Sequence, residues 1–181
     1  MDRSEGMQDS FYKKKLIAAT KWMIYIVLVI FAYVLQSTPS LFQIMGAKPL
    51  LILPLVITIA CYEGNMAGGL FAILGGLLWD ISANRLFGFN AAIVLVLCVA
   101  SALLIEYYMR LRFINIAFLN IGALVIHSLV DFLFYYAIWD YEKVWSVYLS
   151  KIVPQLFYTI FAIPIIYLLV HFINSKYIPE E

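Results

Sequence analysis

Apolar residues along this chain gather into six blocks, roughly 16 to 37, 44 to 62, 65 to 81, 88 to 108, 113 to 139 and 146 to 173. Each is close to the ~20 apolar residues that a helix needs to cross the hydrocarbon core of a bilayer, so the pattern predicts six transmembrane helices. The second and third are separated only by Tyr62-Glu63-Gly64-Asn65, which predicts a tight antiparallel hairpin turning at Gly64. No stretch is left over for a separate soluble domain. The expected organisation is one all-α membrane unit over 1–181, with a short N-terminal tail over 1–15.

Polar positions inside the blocks are few and fall on defined faces. In the third block, at about 100° per residue, Gly69, Ile73, Gly76 and Asp80 share a narrow sector, while Gly68 and Gly75 define a second sector about 100° away. Gly64 and Gly68 add a GxxxG spacing. In lipid, helices gain no hydrophobic energy by associating, so close backbone approach through small residues becomes a main source of packing energy. The third helix is therefore expected between two neighbours, with a contact to another subunit as the alternative use of one face. Asp80 stands near the outer end of that helix; Arg85 is its candidate ion-pair partner, and Ser82 or Asn84 a candidate cap.

The fifth block carries Asn120, His127 and Asp131, whose offsets place them within about 40° of one another. Such a line faces protein or water rather than acyl chains, either as an interhelical pair that locks packing or as a proton relay. By depth, Gln36, Asp80, Asn90, Asp131 and Gln155 all belong to the outer half. They either line an outward-facing polar cavity or wet the helix ends. Pro54, Pro154 and Pro164 lie within or at the edge of predicted spans and are expected to shape those helices.

Composition removes any reading as a soluble globule. The 181 residues are 65% hydrophobic and 13% charged, with mean hydropathy +0.94, where a soluble domain is roughly half apolar and a quarter charged. The formal net charge of +1 gives no surface for nucleic acid. Placement of charge is more informative than its sum. Arg3, Lys13, Lys14, Lys15, Lys21, Arg110, Arg112 and Lys176 fall on one side and Lys48, Arg85, Lys143 and Lys151 on the other, which predicts both termini in the cytoplasm. The block after the lysines is span-length and ends without a small-x-small cleavage site, so it is expected to stay as the first transmembrane helix. Trp139, Tyr141, Trp145, Tyr148, Tyr107 and Tyr108 sit where interfacial aromatics belong, and Trp79 reads as a further anchor.

Catalytic chemistry finds no constellation to use. There is no GxSxG, no HExxH and no Walker glycine loop, and His171 stands near the opposite end of the last span from His127. Cys61 and Cys98 lie inside apolar blocks far from any paired spacing and read as small core residues. The expectation is a protein without catalytic residues, metal or cofactor.

The runs LQSTPSLFQIMGAKPLLILPLVI (35 to 57) and YEGNMAGGLFAILGGLLWDISANRLFGFNAAI (62 to 93) resemble the rod shape-determining protein MreD family. The first holds Gly46 and Pro49 in a Gly-x-x-Pro; the second holds a glycine-rich span ending in Gly-Leu-Leu-x-Asp at Asp80, then Gly-x-Asn at Gly88 and Asn90. Together they cover about a third of the chain. The resemblance implies a non-enzymatic subunit of the bacterial cell-elongation machinery in the inner membrane. Its partner there would be the bitopic protein MreC, and through it the actin-like filament, the glycosyltransferase and the penicillin-binding transpeptidase of peptidoglycan synthesis. Gly64, Gly68, Gly69, Gly75, Gly76, Asp80, Gly88 and Asn90 are then the candidate packing or partner positions. The family is also similar in fold to the substrate-binding S components of energy-coupling factor transporters, which implies a vitamin or metal-ion uptake subunit as the alternative. Against that, LIAATKWMIYIVLV (16 to 29) lacks the Ala-x-x-x-Ala docking pattern, and the first outer loop, SLFQIMGAK (40 to 48), is apolar.

Overall fold

A computed structural model describes residues 3–38, 48–83, 86–137 and 152–177, and among them every regular element is helical. The order is α1 (Arg3–Ser37), α2 (Ile52–Glu63), α3 (Asn65–Ala83), α4 (Phe89–Tyr107), α5 (Phe113–Phe132), a π-helical turn (Leu133–Ala137) and α6 (Val153–Lys176). Five of these helices are long and apolar enough to cross a bilayer. The chain is a multi-pass, all-α membrane protein.

The second predicted span departs from expectation. It was expected over 44 to 62, but its helix is only the 12 residues Ile52–Glu63, and residues 48–51 enter it without helical structure. Twelve residues at 1.5 Å each reach about 18 Å, well short of the ~30 Å hydrocarbon core. The short length is tolerated because α2 does not meet lipid. Every residue from Ile52 to Cys61 is buried, and α2 touches all five other helices. A helix that is apolar all round belongs at the centre of a bundle, and its length is set by its neighbours.

The start of α2 shows how non-helical backbone survives at that depth. Gln36 Oε1, near the end of α1, accepts the amides of Leu51 (2.9 Å) and Ile52 (3.1 Å), and Thr159 Oγ1 on α6 accepts that of Leu50 (2.9 Å). Pro54, in the first turn, has no amide to satisfy. Three amides at this entry are thus met by side chains from two other helices, which suits a water-poor setting. At the opposite end of α2, Glu63 Oε1 pairs with Lys21 Nζ and accepts a hydrogen bond from Tyr25 Oη at 3.1 Å. Lys21 also donates to Asn174 Oδ1 at 2.6 Å, tying α1, α2 and α6 together.

The hairpin is tighter than expected. Gly64 alone separates α2 from α3, and its positive φ of 87° is one that glycine adopts without strain. The remaining spans differ at their ends. Helical backbone in α1 starts at Arg3, so the expected tail over 1–15 continues the first helix. The fifth span changes from α to π geometry at Leu133. Pro154 lies in the first turn of α6 and Pro164 inside it. Trp139, Tyr141, Trp145, Tyr148, Lys143 and Lys151 lie outside the described residues. Cys61 and Cys98 are buried in the core.

Candidate functional site: a capped helix start and a polar cavity

Both glycine faces of α3 are filled from within the chain. A Cβ built at Gly68 would stand 2.3 Å from Ala60 Cβ, and one at Gly75 2.9 Å from Ile52 Cγ2, both on α2. On the other face, a Cβ at Gly76 would stand 2.3 Å from Ala91 Cα, and one at Gly69 3.4 Å from Leu95 Cδ1, both on α4. Helix α3 is therefore held between α2 and α4, and the alternative use of a glycine face, contact with another subunit, loses its surface. Gly64 and Gly88 contribute backbone conformation instead, each with positive φ and open space around it.

That close approach brings Asp80 to the start of α4. Asp80 is 2% exposed, and its carboxylate takes four N–H donors: Gly88 N (2.9 Å) and Ala91 N (3.3 Å) on Oδ2, Asn90 N (3.1 Å) and Asn90 Nδ2 (2.9 Å) on Oδ1. A carboxylate has about four lone-pair sites, so these donors complete its set. Negative charge at a helix N-terminus also meets the positive end of the backbone dipole. Gly88, at φ 90°, turns the chain into α4 and brings no side chain to cap it, so the cap is supplied by Asp80 from the preceding helix. The expected partner, Arg85, and the candidate cap Asn84 lie outside the described residues. Ser82 donates to Trp79 O at 2.9 Å, closing the last turn of α3.

From Asn90 the polar contacts continue to α5. Asp80 only accepts, so the Asn90 NH2 faces it and Asn90 Oδ1 is turned to His127 Nε2, 3.1 Å away. That orientation requires the proton of the imidazole on Nε2, and in the neutral ring Nδ1 is then an acceptor. The ring of His127 lies against Trp79, with centroids 4.7 Å apart and planes 17° from parallel. Trp79, expected as an interfacial anchor, is the stacking partner of a buried histidine. His127→Phe should keep a ring beside Trp79 but leave Asn90 Oδ1 without its donor, at a cost of about 1–2 kcal/mol in unfolding experiments. A variant as stable as the parent would remove this bond from the account.

The polar line on α5 divides between two environments. Asn120 is fully buried and donates through Nδ2 to Thr58 Oγ1 on α2 (3.3 Å) and Ile116 O (2.9 Å). His127 and Asp131 border a cavity of about 220 Å3, together with Trp79, Asn90, Ser128 and Gln155, and Leu50 and Leu156 close part of its wall. Of the five outer-half polar residues picked out in sequence, Asn90, Asp131 and Gln155 line this cavity, whereas Gln36 and Asp80 cap helix starts. Ser128, Thr58 and Thr159 were missed. Hydroxyls are common on membrane helices, and only the contacts across the bundle separate these three from the rest. No family model, no curated protein and no solved structure matches the chain.

Proposed function

We propose that this chain is a non-enzymatic scaffold subunit of the bacterial cell-elongation machinery. It would cross the cytoplasmic membrane six times, the second time through the short α2 and the non-helical residues 48–51 before it, with both termini in the cytoplasm, and dock an MreC-type bitopic partner. The observation that carries this reading is the use made of the residues on which the MreD resemblance rests. Asp80 of the Gly-Leu-Leu-x-Asp run binds Gly88 and Asn90 of the Gly-x-Asn run, and the glycines before it seat α3 against α2 and α4. Polar groups consumed in closing a helix pair are what an architectural subunit needs, and they leave Asp80 no lone pair for a substrate. Because the glycine faces are filled, docking falls to other surfaces of the bundle. Depleting the protein in its source bacterium should convert rods to spheres; depleted cells that stay rod-shaped would overturn the reading.

The cavity favours a second reading, the substrate-binding S component of an energy-coupling factor transporter. Its volume of about 220 Å3 is below the ~300 Å3 at the lower end of pockets for drug-sized ligands, which weighs against a vitamin. Thermal unfolding of the purified chain with a panel of vitamins separates the two. A vitamin present at 100 times its dissociation constant would add about 2.7 kcal/mol, whereas the scaffold reading expects no such stabilisation from any of them.

A further inference from the structure

We propose that the cavity between α3, α4, α5 and α6 is a binding site for a small organic cation bearing a primary ammonium group. Ser128 is 5% exposed, borders the cavity, and its hydroxyl has no hydrogen-bond partner among the described residues. A buried hydroxyl left unpaired costs free energy, and a ligand group at that point removes the cost.

The chemistry of the other lining groups sets the class of ligand. Asn90 spends its NH2 on Asp80 and its oxygen on His127. His127 presents an acceptor at Nδ1 in its neutral form, and Asp131 contributes a carboxylate to the wall. Gln155 and Ser128 can accept as well as donate. The wall is therefore rich in acceptors, and none of its described residues is Lys or Arg. An ammonium brings three donors and the complementary charge. At ~30 Å3 per water the cavity holds about seven waters, room for an aminoalcohol but not for a large amphiphile. The same ammonium can come from a free amine or from the headgroup of phosphatidylethanolamine. This proposal does not depend on the scaffold reading, because a structural cofactor and a transported solute would use the same contacts.

The test uses the full chain in nanodiscs of phosphatidylglycerol, with or without phosphatidylethanolamine. Free ethanolamine should raise the unfolding temperature saturably in the first set, or phosphatidylethanolamine should be retained selectively in native mass spectra of the second. The first outcome assigns the free amine and the second the headgroup. In whichever arm binds, Asp131→Asn should weaken it by at least about tenfold and Ser128→Ala by about threefold, since a charge-assisted hydrogen bond is roughly twice as strong as a neutral one. Ethylene glycol, the neutral isostere, should bind in neither set. Gln155→Leu gives a second variant if Asp131→Asn does not fold, and it too should weaken binding. No binding in either arm, equal binding by ethylene glycol, or full binding by folded Asp131→Asn or Ser128→Ala overturns the site. None of these results bears on docking of MreC, so the two proposals fail separately.

Discussion

Replacing Asp80 by alanine is expected to be the most damaging single polar substitution in the chain. Four N–H donors at the α4 start lose their acceptor at once, in a place that is 2% exposed. Each unsatisfied buried donor costs about 1–3 kcal/mol, and removing one partner of a buried charged group typically costs 3–5 kcal/mol. Water entering the gap will recover part of that, so the expected loss is about 4 kcal/mol. Asp80→Asn keeps one acceptor oxygen and puts an NH2 against the amides where the other stood, and should lose about half as much. Unfolding in detergent measures both variants, and hydrogen exchange at Gly88, Asn90 and Ala91 locates the damage. If Asp80→Ala unfolds within about 0.5 kcal/mol of the parent, as a surface change would, the capping account is wrong.

Gly76→Leu is expected to be as severe for a different reason. A Cβ at Gly76 would lie 2.3 Å from Ala91 Cα and 2.9 Å from Ala91 N. The obstacle is backbone, which cannot rotate away as a side-chain tip can, so α3 and α4 must separate. Overpacking of this kind costs about 1–3 kcal/mol for small insertions, and leucine adds three more carbons to the same gap. Separation also pulls Asp80 off its donors one turn later, so the two defects should not add independently. Gly76→Ala should already lose about 2 kcal/mol. The control is Gly122 in α5, which has nothing within 4 Å of a built Cβ. Gly122→Ala should be neutral or stabilising by up to ~1 kcal/mol through helix propensity. Equal tolerance of alanine at Gly76 and Gly122 would contradict the packing described.

The features visible in the sequence are those that repeat with helical period. Gly68 and Gly75 fall in one sector and Gly69 and Gly76 in another, and angle alone was enough to place α3 between two neighbours. Membrane depth likewise brought Asn90, Asp131 and Gln155 to one end of the bundle, where they do border a common cavity. Contacts that close over long separations were not legible. Thr159 caps the entry to α2 from 109 residues away, and nothing local distinguishes it from other hydroxyls on α6. The depth of Gln36 suits a cavity wall and a helix end equally, and depth does not tell which neighbour an amide meets. The length of α2 is not legible because an apolar run carries no mark of whether protein or lipid surrounds it. Residue type alone marks Trp79 as interfacial, and the His127 ring beside it is visible only once α3 and α5 are brought together.

Association with MreC tests the functional reading most directly. The affinity-tagged full chain, co-expressed with the MreC of the same genome and purified in mild detergent and in nanodiscs, should retain MreC through size-exclusion chromatography as a stable complex. A folded, monodisperse chain that elutes without MreC in both environments would contradict the scaffold proposal.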